Sequence, residues 1–411
     1  MNFEKVLVVT TGIKNSRGHE IHGKAIKESL RRFTKVEVRT LKELDSSLLG
    51  RFIIWPLIQF GKQLTSDLSS LRFDDALRGK ETKKGYKESL TTKLIGRGFK
   101  NFLKKHPSYK DIPIISSHYA AIAAARDAGH TKNILVGPDF FPHDQTAIPE
   151  TLITSPSDSF SNELISYGVK EENIKQIGTV ITPGAARNAE KYRELRMRVA
   201  SGKENPMHIL ITIGGAGPET KYVLDTVKRL KELILMGHQL CSITLVVGDG
   251  RPGRRRLRRK FMGIIKNQIL EDTEGCGFRI FGGVKGYEKK DEVNKTWELL
   301  ESSLDTNGFH PVDLIFTRPN DMSLISATMG IPTILYAPSG SHEIKARHYL
   351  SKELKSALLY EEWIKLKHPG EVINLGKPLE MAFEKGSVGF ITSDSGEKLI
   401  DVVREAVGRN I

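Results

Sequence analysis

Cysteine is almost missing from this chain: Cys241 and Cys276 are the only two in 411 residues. Two thiols with no metal-ligand spacing exclude a disulfide framework and a cysteine zinc site, and they suit a reducing compartment. Tryptophan is scarce, at three, and aromatics make up only 7%. No apolar run approaches the roughly 20 residues that a membrane-spanning helix needs. A strand begins almost at the first residue, so no secretory leader is expected and a cytoplasmic location is. Acids fall short of bases, 49 Asp+Glu against 63 Lys+Arg, for a net charge of +14. That balance says nothing about fold, but it favours anionic partners such as nucleotide phosphate, anionic lipid or nucleic acid.

A chain of this length exceeds one ordinary core, so two domains are expected. Strand-length apolar runs alternate with helical patterns throughout. Val6–Val9, Val36–Val38, Ile112–Ser116 and Ile134–Gly137 read as strands of the first half, with shorter extended pieces around Ile153 and Ile177. Ile209–Ile213, Ile243–Val247, Arg279–Phe281, Leu314–Phe316 and Thr333–Tyr336 repeat the pattern in the second. Such alternation predicts an α/β class of parallel sheets covered by helices. The expected organisation is a first domain over residues 1–184 and a charged connector over 185–206. A second domain over 207–392 and a last helix within 393–411, returning to the first domain, complete it. The two Rossmann-like domains are expected to face each other across a cleft.

Two glycine-rich turns carry the functional signal. The first runs from Thr11-Gly12 to Gly23-Lys24, after the strand at Val6; the second is Gly214-Gly215-Ala216-Gly217, after the strand at Ile209. A strand, a tight turn and a helix N-terminus aim free main-chain N–H groups at one point, which attracts phosphate. Gly18 to Lys24 nearly spells a phosphate loop, but Ala25 stands where the Mg²⁺-binding hydroxyl belongs. His19 and His22 lie three apart, and a metal held by them lacks an evident third ligand. Two readings of His19 remain open: a structural histidine, and a base at the mouth of the cleft. His118 and Asp139 follow apolar strands, and strand ends form the ligand edge of an open α/β sheet.

One long stretch reads Val312-Asp313-Leu314-Ile315-Phe316-Thr317-Arg318-Pro319-Asn320-Asp321-Met322-Ser323-Leu324-Ile325-Ser326, and closes with Gly330-Ile331-Pro332-Thr333-Ile334. It resembles the nucleotide-sugar site of GT-B glycosyltransferases. More narrowly, it is similar to the branch holding the peptidoglycan N-acetylglucosaminyltransferase (MurG) and monogalactosyldiacylglycerol synthase. Further pieces fall in the same order. Gly18-His19 resembles the turn bearing that family's base, and Pro138-Asp139-Phe140-Phe141-Pro142-His143 resembles its acceptor-side segment. Gly214 to Gly217 resembles the donor-phosphate turn, Phe281-Gly282-Gly283-Val284 the loop around the base, and Ser341-His342-Glu343 the start of its H-Q-x-x-N-A helix.

The resemblance implies the GT-B arrangement and metal-independent transfer of a sugar from a nucleotide diphosphate, UDP foremost, to a lipid-linked or other hydroxyl acceptor. It implies His19, His118 and Asp139 as catalytic candidates, and Gly18 and His143 on the acceptor side. Gly214, Gly215, Ala216, Gly217, Gly282, Val284, Arg318, Asn320, Ser323, Ser326, Ser341, His342 and Glu343 would hold the donor, with no metal and no resident cofactor. Departures are visible. Ser326 stands where the family has a ribose-gripping Glu, and Glu343 and Lys345 replace the Gln and Asn of its helix. An epimerase or hydrolase acting on nucleotide sugars, with Asp139, Asp144 and Glu343 as carboxylates, is therefore an alternative, as is a non-catalytic binder of nucleotide sugar or anionic lipid. Leu48–Phe60 is apolar and too short to span. Arg251–Lys260 holds seven bases in ten residues. Both are candidates for an anionic membrane surface on the cytoplasmic side. Nucleic acid is disfavoured, because no aromatics interleave the bases.

Overall fold

A computed structural model of the chain describes residues 4–10, 17–44, 90–192, 207–213, 220–235, 240–247, 277–281, 292–301, 311–338, 341–354, 356–365 and 395–409. The chain divides into two units, Met1–Pro183 with Gly389–Ile411, and Gly184–Val388. Each is built on a six-stranded sheet in which every pair is parallel. This is the α/β class of two Rossmann-like domains that the alternating pattern predicts.

In the first unit the strands are β1 (Lys5–Thr10), β2 (Lys35–Thr40), β3 (Ile114–Ser116), β4 (Asn133–Val136), β5 (Leu152–Ser155) and β6 (Ile174–Gln176). Their order across the sheet is β2-β1-β3-β4-β5-β6. Val6 to Val9 and the whole of β3, β4 and β5 are buried, as strands covered on both faces must be. Register aligns Val8, Ile115, Ile134 and Leu152 in one row. The helices are α1 (Arg17–Leu30), α2 (Leu41–Leu44), α3 (Leu90–Lys105), α4 (Tyr119–Asp127) and α5 (Asp158–Ser166). In α4 five alanines lie buried with Ile122; their short side chains favour the helix and let it lie close to the sheet.

The second unit holds β7 (Met207–Ile213), β8 (Leu240–Val247), β9 (Gly277–Phe281), β10 (Leu314–Thr317), β11 (Thr333–Leu335) and β12 (Ala357–Leu359). Their order is β12-β11-β10-β7-β8-β9, with Leu358, Ile334, Phe316, Ile211 and Leu245 in register. Its helices are α6 (Pro183–Lys191), α7 (Thr220–Leu235), α8 (Glu292–Glu301), α9 (Asp321–Thr328), α10 (Ser341–His348) and α11 (Tyr360–Trp363). The segment read as a connector thus opens as helix α6. There Ala185, Ala186 and Ala189 are buried, and Asn188 donates to the Leu300 carbonyl at 3.2 Å. The last helix, α12 (Ser395–Gly408), falls within the first unit.

Two glycines show how closely helix and strand approach. A methyl group on Gly23, in α1, would stand 2.5 Å from Cγ2 of Thr10. One on Gly137, just past β4, would stand 2.7 Å from the Thr154 carbonyl oxygen and 2.9 Å from the Phe160 ring.

Candidate functional site

Strand order alone marks one place in each sheet. In the first, the chain runs outward from β1 to β2 and then resumes on the other side of β1 with β3. In the second, it runs from β7 to β8 and β9, then resumes on the other side of β7 with β10. Open α/β sheets take ligands at the carboxyl ends of the strands where the order reverses, because the two departing connections leave a crevice there.

At the first such point, α1 follows β1 and α4 follows β3. The buried Ser116 hydroxyl donates to the Val9 carbonyl at 2.6 Å and accepts the His118 N–H at 3.0 Å, tying the two strand ends together. His118 caps α4: its Nδ1 accepts the N–H of Ala120 at 3.2 Å. A cap is usually Ser, Thr, Asp or Asn. With Nδ1 as acceptor, the proton of a neutral ring sits on Nε2. This cap engages Nδ1 of His118 with the start of α4. His19 lies in the first turn of α1, with its ring edge-on to His118 at 4.5 Å and its Nδ1 3.4 Å from the Ser117 hydroxyl. Tyr119 stacks on His118 at 4.9 Å. Of the expected catalytic set, these contacts join His19 and His118. Asp139 and His143 are half-buried in the loop between β4 and β5, and Asp144 Oδ1 accepts the Gln145 N–H at 2.8 Å.

Gly18 to Lys24 lies inside α1. The near-match to a phosphate loop is therefore helical, and beyond the first turn its N–H groups are spent on the helix. His22 is 1% exposed and directed into the core. Among the described residues no group of three His, Cys, Asp or Glu is placed to hold a metal.

At the second point Arg318 directly follows β10, while Glu343 lies in the first turn of α10, after β11. Nη1 of Arg318 is 3.5 Å from Oε1 of Glu343, with side-chain exposures of 13% and 5%. Beside them Thr212 and Thr317 join their hydroxyls at 2.7 Å across β7 and β10. Asn320 caps α9 by accepting the Met322 N–H at 3.2 Å, and the Ser323 hydroxyl donates to the Asn320 carbonyl at 2.7 Å. Ser326 is fully buried; its hydroxyl donates to the Ser323 carbonyl at 2.9 Å and meets the Thr333 hydroxyl at 2.7 Å. It is thereby committed to the seam between helix and sheet. Ser341 and His342 open α10.

An aromatic cluster holds the helix that follows β7. Tyr222 of α7 stacks on Tyr336 at 5.7 Å and meets Tyr360 edge-on at 5.3 Å; the Thr226 and Tyr336 hydroxyls are 3.1 Å apart. Asp225 accepts from Tyr360 and, at 2.7 Å, from Arg229. Burial pushes the Asp225 carboxyl up, but those hydrogen bonds outweigh it and hold it below its ordinary range. Burial, and then the bond to Asp225, push the Tyr360 phenol up.

Ser117, Thr212 and Thr317 escaped the sequence reading; a lone hydroxyl beside a strand end carries no pattern. Gly214, Gly215, Ala216, Gly217, Gly282 and Val284 lie outside the described residues, as do Leu48–Phe60 and Arg251–Lys260. No helix among the described residues is long and apolar enough to cross a membrane.

Fold and strand-end clusters together define a two-unit Rossmann-like α/β protein with polar side chains at both points of reversal. No protein-family model matches the sequence, and no curated protein matches it. Among solved structures, the chain is similar to UDP-GlcNAc 2-epimerase of Methanocaldococcus jannaschii in complex with UDP-GlcNAc and UDP. That pair shows 12% identity over 98% of this chain and 100% of that one, with a TM-score of 0.49. UDP-GlcNAc 2-epimerase of Neisseria meningitidis bound to UDP-GlcNAc shows 12% identity, 98% and 100% coverage and a TM-score of 0.47. HepE of Anabaena in complex with UDP and glucose shows 10%, 98% and 98%, and 0.38. At such identities the likeness concerns fold alone. The expected transferase activity and the narrower GT-B branch are corrected to this extent: they find no support among these structures, two of which are named as epimerases. What stands is the two-unit Rossmann-like plan.

Proposed function

We propose that the chain is a nucleotide-sugar enzyme of the epimerase or hydrolase kind, with a UDP-sugar as substrate and no metal invoked. The observation that carries this reading is the meeting of His19 and His118, with ring centroids 4.5 Å apart, at the reversal point of the first sheet. Both reactions break the anomeric C–O bond, and both need a proton taken from one group and a polarising donor on another. His118 suits the donor, because its Nδ1 is spent on the helix cap. His19 suits the base. In hydrolysis it accepts a proton from water as the water oxygen bonds to the anomeric carbon and the diphosphate leaves with the bonding pair. In epimerisation at the carbon next to the anomeric centre, it instead takes that carbon's proton as the anomeric C–O bond breaks and the diphosphate leaves with the bonding pair, giving a C=C double bond. A proton delivered to the opposite face and return of the diphosphate to the anomeric carbon complete the inversion.

The enzyme should be offered a panel of nucleotide sugars, with nucleoside diphosphate release and sugar configuration followed by NMR. His19→Ala is expected to lower turnover by about 10² to 10⁴ while substrate still raises the melting temperature. Unchanged turnover in His19→Ala removes the base assignment. Thermal shift with no turnover of any sugar leaves a binding protein, and neither shift nor turnover ends the proposal.

A further inference from the structure

We infer that His130 is an acid-operated pin of the first unit: its uncharged ring holds together the end of α4 and the starts of β3 and β4, and a proton taken up by that ring releases them. The pin needs no ligand and no turnover. α4 ends at Asp127, Gly129 takes a φ of +85°, and the His130 N–H reaches back to the Ala125 carbonyl at 3.0 Å. A helix commonly closes this way on a glycine. Just beyond that close, His130 is only 3% exposed. Its Nδ1 lies 2.9 Å from Oδ1 of Asn133, the first residue of β4, and its Nε2 lies 3.0 Å from the Ile112 carbonyl, shortly before β3. Nδ2 of Asn133 donates to the His130 carbonyl at 2.5 Å, which turns Oδ1 toward the ring. The connection that carries Ile112 is also held from β2, where the Tyr109 phenol donates to Glu37 at 2.9 Å.

Both ring nitrogens thus face oxygens. A neutral imidazole has one N–H and serves one of the two at a time; a protonated ring serves both, but brings a full charge into a site closed to water. The charged groups on the elements that meet here are Arg126 and Asp127 in the last turn of α4, Lys110 and Asp111 in the connection, and Lys132 before β4. Lys132 repels a charged ring, and its own partner, Oδ1 of Asp111 at 3.6 Å, is 91% exposed and gives little relief. Burial is the largest influence and pushes the ring below its ordinary value, as does Lys132; the bonds to Asn133 and to main chain at Ile112 and Tyr109 pull upward without restoring it. A released ring, in water, titrates near the ordinary 6.5. The pin is therefore intact above that pH. As pH falls below it, opening becomes more favourable by up to about tenfold per unit, until the pinned ring is itself charged. Glu37 keeps its charge down to about 2, so across the range between them the connection gives way on the His130 side alone.

The test follows hydrogen exchange of the full chain from about pH 8 to about pH 5, with opening equilibria corrected for the intrinsic exchange rate. Ile114, whose N–H donates to the Lys132 carbonyl at 2.9 Å across β3 and β4, reports on the joint; β10, in the second unit, is the reference. In the unaltered protein the joint should open about tenfold more readily at the acid end, and β10 should not follow. His130→Gln keeps a side-chain donor and cannot titrate, so its joint should lose this acid response. An NMR titration of the His130 ring in the unaltered protein, with a midpoint expected below 6.5, asks the same question without relying on a folded variant. Joint opening that is independent of pH overturns the inference. So does an acid response that persists in His130→Gln, or a ring midpoint at or above the ordinary value.

Discussion

At the scale of single residues, the sequence exposed charge and strand ends better than it exposed direction. His118, Asp139 and Arg318 are legible because each follows an apolar run, and the ends of such runs are where ligands gather; His19 stands out by its glycine-rich turn and Glu343 by the resemblance. Ser326 is named only through the resemblance, and its hydroxyl lies in the seam with Thr333. Every residue from Met322 to Thr328 is buried, so α9 has no polar face from which its rotation could be read. One electrostatic knot of the first unit carries no pattern in the sequence. Glu37, on the edge strand β2, accepts from Lys5, from Arg39 at 2.6 Å and from Tyr109 at 2.9 Å. Burial pushes its carboxyl up, but those three donors outweigh it and hold it down at about 2. A carboxyl depressed in the folded state stabilises at any pH above its unfolded value near 4.5, and that contribution is lost as pH falls from there toward 2. At about 1.4 kcal/mol per unit, discounted for solvent screening of these partly exposed partners, Glu37→Gln is expected to cost about 1–2 kcal/mol at pH 7. The variant should melt lower than the unaltered protein at neutral pH and converge with it near pH 2. A constant gap across that range would show that the charge is not the source.

At the scale of elements, strands were legible and helix starts were not. Buried parallel strands read as continuous apolar runs, so β1, β7 and β10 could be seen without coordinates. β12, with three residues, is too short to stand out, and α3 follows a long polar stretch that hid its onset. The start of α1 was misplaced because Gly18 to Lys24 mimics a loop sequence, whereas Gly23 serves close packing on Thr10. Gly137 makes the same point one strand further along. Its Cα faces the Thr154 carbonyl, which also accepts the Gly137 N–H at 3.0 Å, and the Phe160 ring closes the other side. A methyl group at 2.7 Å from a main-chain oxygen cannot be absorbed by a rotamer change, so Gly137→Ala must push β5 or α5 outward. The expected loss is about 1–3 kcal/mol, read from denaturant unfolding. Full stability in Gly137→Ala would mean that this contact is looser than the distances imply.

At the scale of the whole molecule, the chain enters its second unit at Gly184 and returns to the first at Gly389. The first unit is thus completed by residues on both sides of the second. α12 lies with α1, β4 and β5, with Leu399, Val402 and Val403 buried. Its end is fastened by polar contacts: Glu405 pairs with Lys175 at 2.8 Å, while Arg409 donates to Asn173 at 2.6 Å and to the Glu172 carbonyl at 3.1 Å. The exposed ion pair adds little, on the order of 0–1 kcal/mol; the buried side chains carry the attachment. Truncating Leu399 and Val403 together to alanine removes two buried side chains, with an expected loss of about 3–6 kcal/mol. That is a large fraction of what holds an ordinary domain folded. Because the loss falls on a helix of the first unit, hydrogen exchange should quicken across residues 4–183 and leave β7, β10 and β11 protected. Acceleration spread evenly over both units would instead mean that they unfold as one, and the division at residues 184 and 389 would then have no thermodynamic meaning.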